Sequence, residues 1–513
     1  MRGAVAAGHP LTAHTAAEVL RSGGNAFDAA VAAFYTMCVC EPVLSSLGGG
    51  GFLLARENQG QTRVFDFFTH TPRRKLPSQS LDFYPVTVDF GSAQQDFHIG
   101  VGASATPGTV SGMYSVNDAL GSMDMRELVQ PAAELARRGV EINEFQSYLL
   151  RLVSPMYTTE SLLPIFSGPG GRELVIPGDV MKNPDLGQVL EIIALEGRDL
   201  FYRGEIARGI QAMCEGRGHL RYEDLTEYQT IMRSPLSVKY RDHLLYTNPP
   251  PSAGGTLIAF GLNLLRFFDL SRYGFGEYDH IRLLAEVLMR TSAARAEHFG
   301  DGPHEGLLDE NLVESYRQQV SNVTMSYKGT THISVVDADR NIAAMTVSNG
   351  EGCGELISGT GIVMNNMLGE QDLNPGGFHC WNTNERMSSM MAPSVLADRD
   401  GGMTALGSGG SNRIRTALLQ VVSNMVDFGH SAKTAIASPR IHIETEVLNL
   451  ESGLAGSDSA ALVEEFPQRR LFEGRNMFFG GVHTAGVSPS GSFYGNGDPR
   501  RNGVAIVVGA NSR

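Results

Sequence analysis

Apolar positions Leu11, Ala17, Val19 and Leu20 recur at helical spacing through "LTAHTAAEVLRSGGN", and the "SGGN" that follows is a stop signal. The next stretch, "AFDAAVAAFYTMCVC", is apolar almost throughout and predicts a buried helix. "SSLGGGGFLLARE" then leads through glycines into a strand. Residues 108 to 330 read mainly as helices, among them "MRELVQPAAELARRG", "NPDLGQVLEIIALEG" and "HIRLLAEVLMRTSAARAEHFG", with a rigid turn at "NPPPSAGG". Beyond about residue 329 short β-branched runs alternate with glycine loops, interrupted by one helical run, "RIRTALLQVVSNMVDFG". A helix-rich first part and a strand-rich last part, with no repeat or long linker between them, predict one layered α/β body.

Composition narrows the function. The 513 residues carry a formal net charge of −14, which argues against nucleic-acid binding, because phosphate contacts need clustered Lys and Arg. The short basic runs "PRRK" and "DPRR" read as solvated or locally paired. Five scattered cysteines fit a reducing compartment better than a disulfide scaffold. Cys38 and Cys40, one residue apart in an apolar run, lack zinc-site spacing and read as core. The 14 histidines contain no ligand cluster, so no metal and no cofactor are expected. No signal peptide is visible, and the apolar run Ala29 to Cys40 is short of the roughly 20 residues that span a bilayer. A cytoplasmic protein, bound to neither membrane nor nucleic acid, is the expectation.

The stretch "YKGTTHISVVDADRNIAAMTVSNGEG" carries the candidate chemistry. "TTHISVV" and "IAAMTVS" are strand-like, with turn residues "DADRN" between them. Setting Asp337 opposite Asn341 places Thr330 opposite Ser348 at the open end of the hairpin, with side chains on one face. A Thr–Ser pair alone is an ordinary cross-strand contact. Gly329, however, leaves an uncrowded carbonyl that a Thr330 hydroxyl can attack, breaking the chain by an N-to-O acyl shift. The new terminal amine, with a reference pKa of about 8, can then serve as base for its own hydroxyl. From the pattern alone, nucleophile and plain hairpin both stand.

"GTTHISVVD", together with "GGNAFDAAVA", "LGGGGF", "ATPGTVSGM", "NPPPSAGG", "GTGIVMNN", "SSMMAPS" and "GSGGSNRI", resembles the γ-glutamyltranspeptidase family of N-terminal nucleophile hydrolases, over about residues 3 to 510. The resemblance implies an αββα four-layer sandwich made as a proenzyme. Self-cleavage between Gly329 and Thr330 would give an associated large subunit of residues 1–329 and small subunit of 330–513. The family's nucleophile falls on Thr330, with Thr331 the local competitor, and its second hydroxyl falls on Ser348, where threonine is usual. A substrate-binding Asn column falls on Gly350, flanked by Asn349 and Glu351 as candidate replacements. The resemblance assigns the substrate's α-amine to Glu370 and its carboxylate to Ser388 and Ser389; an ungapped reading shifts that pair to Ser389 and Met390. It also assigns the oxyanion hole to Gly409 and Gly410, with Ser411 adjacent. "GSGGSN" lacks the ending of a P-loop and the spacing of a dinucleotide fingerprint.

Two departures bear on the substrate. Glutamyl-specific members carry a carboxylate-binding arginine where "FDFFTHTPRRK" places Phe68, and Arg73 or Arg74 would have to reach in from the next turn. The segment between Glu370 and Arg386 is shorter than the lid-bearing loop of many members. The leading reading is a self-processing amidase cleaving γ-glutamyl amides such as glutathione, with water, an amino acid or a peptide as acceptor. The alternatives are the same chemistry on an oxamate-like or glutaryl amide, and a binding protein that never cleaves.

Overall fold

The computed structural model describes residues 2–89, 94–298, 305–309, 313, 316, 329–374, 376–444 and 447–509. Thirteen strands build its two main sheets, numbered along the chain: β1 (Gly3–Ala7), β2 (Gly50–Arg56), β3 (Thr62–Phe67), β4 (Ile231–Arg233), β5 (Leu236–Tyr240), β6 (His243–Thr247), β7 (Thr331–Asp337), β8 (Ile342–Ser348), β9 (Ser394–Ala397), β10 (Met403–Gly409), β11 (Gly481–Val487), β12 (Phe493–Asn496) and β13 (Val504–Val508). The first sheet has the order β13-β1-β7-β8-β2-β3-β4 and the second β12-β11-β10-β9-β6-β5. Every neighbouring pair in both is antiparallel.

Helices α1 (Pro10–Ser22) and α2 (Ala26–Cys40) pack on one face of the first sheet. Asn25 and Asp28 form a capping box that starts α2, and every side chain of α2 is buried. Helices α3 (Met125–Arg138) and α4 (Pro184–Glu196) pack on each other, with α3 against α2. The other face of the first sheet meets the second sheet, β7 and β8 touching β10 and β7 also touching β11. Beyond the second sheet lie α5 (Ala253–Leu265) and α7 (Arg413–Val426), with α6 (Tyr278–His298) packed on α5. Ile333, Val335 and Met345 join the core under α2, while Val336 and Ala344 join Leu406 and Val482 between the sheets. This alternation is the two-residue strand period read in three dimensions.

Several expectations change. The stretch read as mainly helical contains strands β4 to β6, which supply one edge of each sheet. Leu11, expected on the apolar face of α1, is only half-buried. "DPRR" takes the second of its two expected forms, locally paired, and is buried besides: Arg500 pairs with Asp498 within the run and also with Glu451. Cys38 and Cys40 are core, burial pushing the Cys38 thiol up to about 12. No metal-ligand cluster occurs among the described residues, and no helix there is long and apolar enough to cross a membrane.

Candidate active site

The hairpin register is the one that the turn predicts. Thr331 pairs with Val347 and His332 with Thr346, so one further step sets Thr330 against Ser348. Alternation along β7 divides the two threonines. Thr331 shares the α2 side with Ile333, whereas Thr330 shares the inter-sheet side with His332 and Ser334, whose hydroxyl donates to the His483 carbonyl at 3.2 Å. His332 is buried between Thr346 Oγ1 at 2.8 Å and Ser334 Oγ at 2.9 Å, and desolvation holds its pKa well below the usual imidazole value.

Gly329 is held by both of its backbone polar groups. Ser348 Oγ donates to its carbonyl oxygen at 2.6 Å, and its N–H donates to Glu351 Oε1 at 2.7 Å. The Gly350 N–H in turn donates to Ser348 Oγ at 3.1 Å. One residue on, the Thr330 carbonyl accepts from Arg501 Nη1 at 3.3 Å. The glycine turn closes over that carbonyl: a Cβ on Gly409 would lie 2.1 Å from it, so only glycine fits.

Two cavities meet here. The first, about 340 Å³, is lined by Thr330 and Ser348, by the polar groups of Glu370, Asp372, Ser389 and Ser411, and by an apolar wall that includes Phe68, Met367 and Met390. The second, about 480 Å³, is lined by Gly329, Glu351, Gly410, Arg413 and Arg501, with apolar side chains such as Leu44 and Phe478. Consecutive residues therefore line opposite cavities at two places, Gly329–Thr330 and Gly410–Ser411. Arg413 lies over the Phe478 ring at 4.7 Å. Burial, and then the neighbouring Arg413, bring the Arg501 pKa down to about 10.

The residues named from sequence divide accordingly. Thr330, Ser348, Glu370 and Ser389 share the first cavity, as do Met390 and Ser411, whereas Ser388 is half-buried outside its lining. Glu351 lines the second cavity, and Asn349 is buried in neither lining. Gly350 itself has φ +65°, and a Cβ there would fall 2.3 Å from Glu370 Oε1 and 2.1 Å from Asn366 Oδ1. The bare position thus lets Glu370 and Asn366 close in on the loop.

Phe68 is buried, stacks on Phe52 at 5.5 Å and walls the first cavity. Among the described residues, no arginine lines the first cavity in place of the missing fork. Arg73 pairs at the surface with Glu227 at 3.0 Å, and Arg74 is exposed. Arg386 lies behind Phe68, committed to the Phe68 carbonyl, to Tyr228 and to Asp66.

Sequence reasoning missed Glu41, which follows the last residue of α2. It is buried, accepts from Thr331 Oγ1 at 2.8 Å and Thr12 Oγ1 at 2.9 Å, and burial raises its pKa to about 7. The available signal was a carboxylate ending an otherwise apolar run. Asp372 and Arg501 were missed as well; in sequence each is one charge among several in a loop.

Known proteins align with this arrangement over almost its whole length. The gamma-glutamyltranspeptidase family matches residues 12–508. The chain belongs to that family. Glutathione hydrolase proenzyme of Escherichia coli strain K12 is 32% identical, with 97% of this chain and 90% of that protein covered. Acylase ACY 1 proenzyme of Pseudomonas sp. strain V22 is 30% identical, with 99% and 94% covered. The crystal structure of cephalosporin acylase from Bacillus halodurans superposes with a TM-score of 0.85 at 23% identity, covering 98% of this chain and 95% of that one, and so shares its fold. This gamma-glutamyltranspeptidase family member is accordingly an enzyme, with hydrolases and acylases made as proenzymes among its relatives.

Proposed function

We propose that the chain is a self-processing N-terminal-threonine amidohydrolase and acyltransferase with an αββα sandwich, acting on small acyl amides of the γ-glutamyl type. The observation that carries this reading is the 2.6 Å hydrogen bond from Ser348 to the Gly329 carbonyl, beside a Thr330 that lines a cavity. A donor on that oxygen favours the charge that develops when Thr330 Oγ1 attacks the Gly329 carbon. The new C–O bond forms, the Gly329–Thr330 C–N bond breaks, and the hydroxyl proton ends on the freed amine. Water then cleaves the ester to the Gly329 carboxylate and restores the Thr330 hydroxyl. The subunits would be residues 1–329 and 330–513.

In the mature enzyme the Thr330 amine takes the hydroxyl proton as Oγ1 attacks a substrate amide. The acyl group passes to Thr330, the leaving amine takes the proton, and water or a second amine releases the acyl group. With the Gly329 carbonyl gone, the Ser348 hydroxyl turns to Thr330. Backbone N–H groups of Gly409, Gly410 and Ser411 supply the candidate oxyanion donors, Ser389 and Glu370 contact the acyl group, and Ser388, Asn349 and Glu351 support the surrounding loops.

Terminal sequencing and intact mass of purified protein test the reading. Two fragments with a new terminus at Thr330 are expected, and a Thr330→Ala chain should remain one species of 55.3 kDa. A single uncut, inactive chain from the unaltered sequence would favour the binding-protein alternative. A second substrate reading, an acyl group other than γ-glutamyl, is favoured by Phe68 in the cavity wall.

A further inference from the structure

We infer that the 480 Å³ cavity receives the amine half of the substrate and selects an amine that carries a large apolar side chain, a leucine or phenylalanine unit being the simplest example. This rests on the acyl-enzyme reading proposed above and specifies the leaving amine of the same reaction.

Position is the first argument. Gly329 lines this cavity and Thr330 the other, so the two hollows come together at the bond between them. Cutting that bond opens the second cavity toward the Thr330 hydroxyl. With the acyl group in the first cavity, beside Thr330 and Ser348, the amine on the far side of the substrate carbonyl points into the second. Gly410 and Ser411 divide in the same sense, which sets the glycine turn across the boundary.

The lining is the second. Its charged groups are engaged around the bond: Glu351 Oε1 accepts from the Gly329 N–H at 2.7 Å, Arg501 Nη1 donates to the Thr330 carbonyl at 3.3 Å, and Arg413 lies over the Phe478 ring at 4.7 Å. The rest of the wall is mainly apolar and begins beside the bond itself, since a Cβ built on Gly329 would lie 3.4 Å from Leu44 Cδ2. It continues over Leu149 and Leu152 of the helix Glu144–Leu152 and over Val153 just past it. Behind Val43, Leu44 and Leu149 lies a third hollow of about 380 Å³, to which Ile142, Phe145 and Leu150 add further apolar surface. Polar groups on that hollow are engaged too: Glu41 with Thr12 and Thr331, and Gln146 with the Cys40 carbonyl. An apolar side chain on the amine is therefore stabilised by burial against this wall, whereas a polar one loses water without gaining a partner.

The test uses mature, processed protein and one acyl group, whichever of γ-glutamyl, glutaryl and butyryl is turned over fastest as its 4-nitroanilide. That group is joined to glycinamide, leucinamide, phenylalaninamide or glutaminamide, and kcat/KM is measured for each. Burial of a leucine-sized side chain changes kcat/KM about tenfold or more, so leucinamide and phenylalaninamide are expected to exceed glycinamide by about tenfold each. Glutaminamide, of similar size but polar, is expected within a few-fold of glycinamide. Leu152→Trp, at a half-buried position of the wall, fills part of the cavity and should lower the phenylalaninamide-to-glycinamide ratio about tenfold, a ratio that general loss of folded protein does not move. Equal turnover of glycinamide and the two apolar amides, glutaminamide as fast as leucinamide, or a ratio unmoved by Leu152→Trp overturns the inference. Should Leu152→Trp fail to fold, the order among the four amides in the unaltered enzyme still decides. Terminal sequencing at Thr330 and turnover of the 4-nitroanilides are scored separately. Processed protein that turns over none of them overturns the functional reading and this inference together, whereas wrong selectivity in an active enzyme overturns the inference alone.

Discussion

Replacing Ser348 by alanine removes one atom from the geometry around the Gly329–Thr330 bond. Its hydroxyl stands 2.6 Å from the Gly329 carbonyl oxygen, where negative charge accumulates during attack. A preorganised donor at such an oxygen contributes about 2.7–4 kcal/mol in the transition state, so maturation should slow by about 10²–10³-fold. The same change deprives the Gly350 N–H of its acceptor at 3.1 Å, at a ground-state cost of about 1–3 kcal/mol. The assay is a time course of chain cleavage after synthesis, followed on denaturing gels, alongside the thermal midpoint of the uncut protein. Ser348→Thr keeps the hydroxyl and should mature within a few-fold of the unaltered rate. If Ser348→Ala matures at the unaltered rate, or if Ser348→Thr is as slow as alanine, the reasoning from carbonyl polarisation is wrong.

Glu41 should make stability fall as pH rises. Its folded pKa, raised to about 7, lies above the unfolded carboxylate value, so the folded state holds the extra proton between about pH 4.5 and 7. Stability present below that window is then lost across it, by about 3 kcal/mol, and Glu41→Gln should flatten thermal midpoints measured from pH 5 to 8. Gly409→Ala puts a methyl against the Thr330 carbonyl and should cost about 1–3 kcal/mol in denaturant unfolding and abolish maturation. Unchanged maturation would show that the turn can retreat. Asp498→Ala strips the shared carboxylate from Arg440 at 2.7 Å and Arg500 at 3.2 Å, all three buried, and should destabilise by about 3–5 kcal/mol, read from the urea midpoint.

Local geometry was legible in the sequence because it depends on local chemistry. The turn "DADRN" and the two-residue period set the β7–β8 register, and with it the Thr330–Ser348 pairing, without reference to anything distant. The apolar helix after "SGGN" and the glycine entry to β2 were readable on the same terms. Strands β4 to β6 were not, since short strands at the margins of the sheets, inside a helical stretch, owe their form to the sheets they complete. The positions flanking Gly350 were misleading for a related reason: the chain turns at this left-handed glycine, so Glu351 lines the second cavity and Asn349 lines neither. Glu41 meets Thr331 across nearly three hundred residues, a contact that no spacing rule encodes. Phe68 was named from sequence as a departure, but only the fold shows that Arg386 stands behind it, bound to the Phe68 carbonyl and beside Asp66.

The peptide joining Gly329 to Thr330 also acts as a dividing wall, since its two residues border different hollows. A molecule long enough to occupy both cannot enter while that link is whole. Under the proposed self-cleavage, latency of the uncut chain needs no separate inhibitory segment, because the bond that the proposal severs is itself the obstruction.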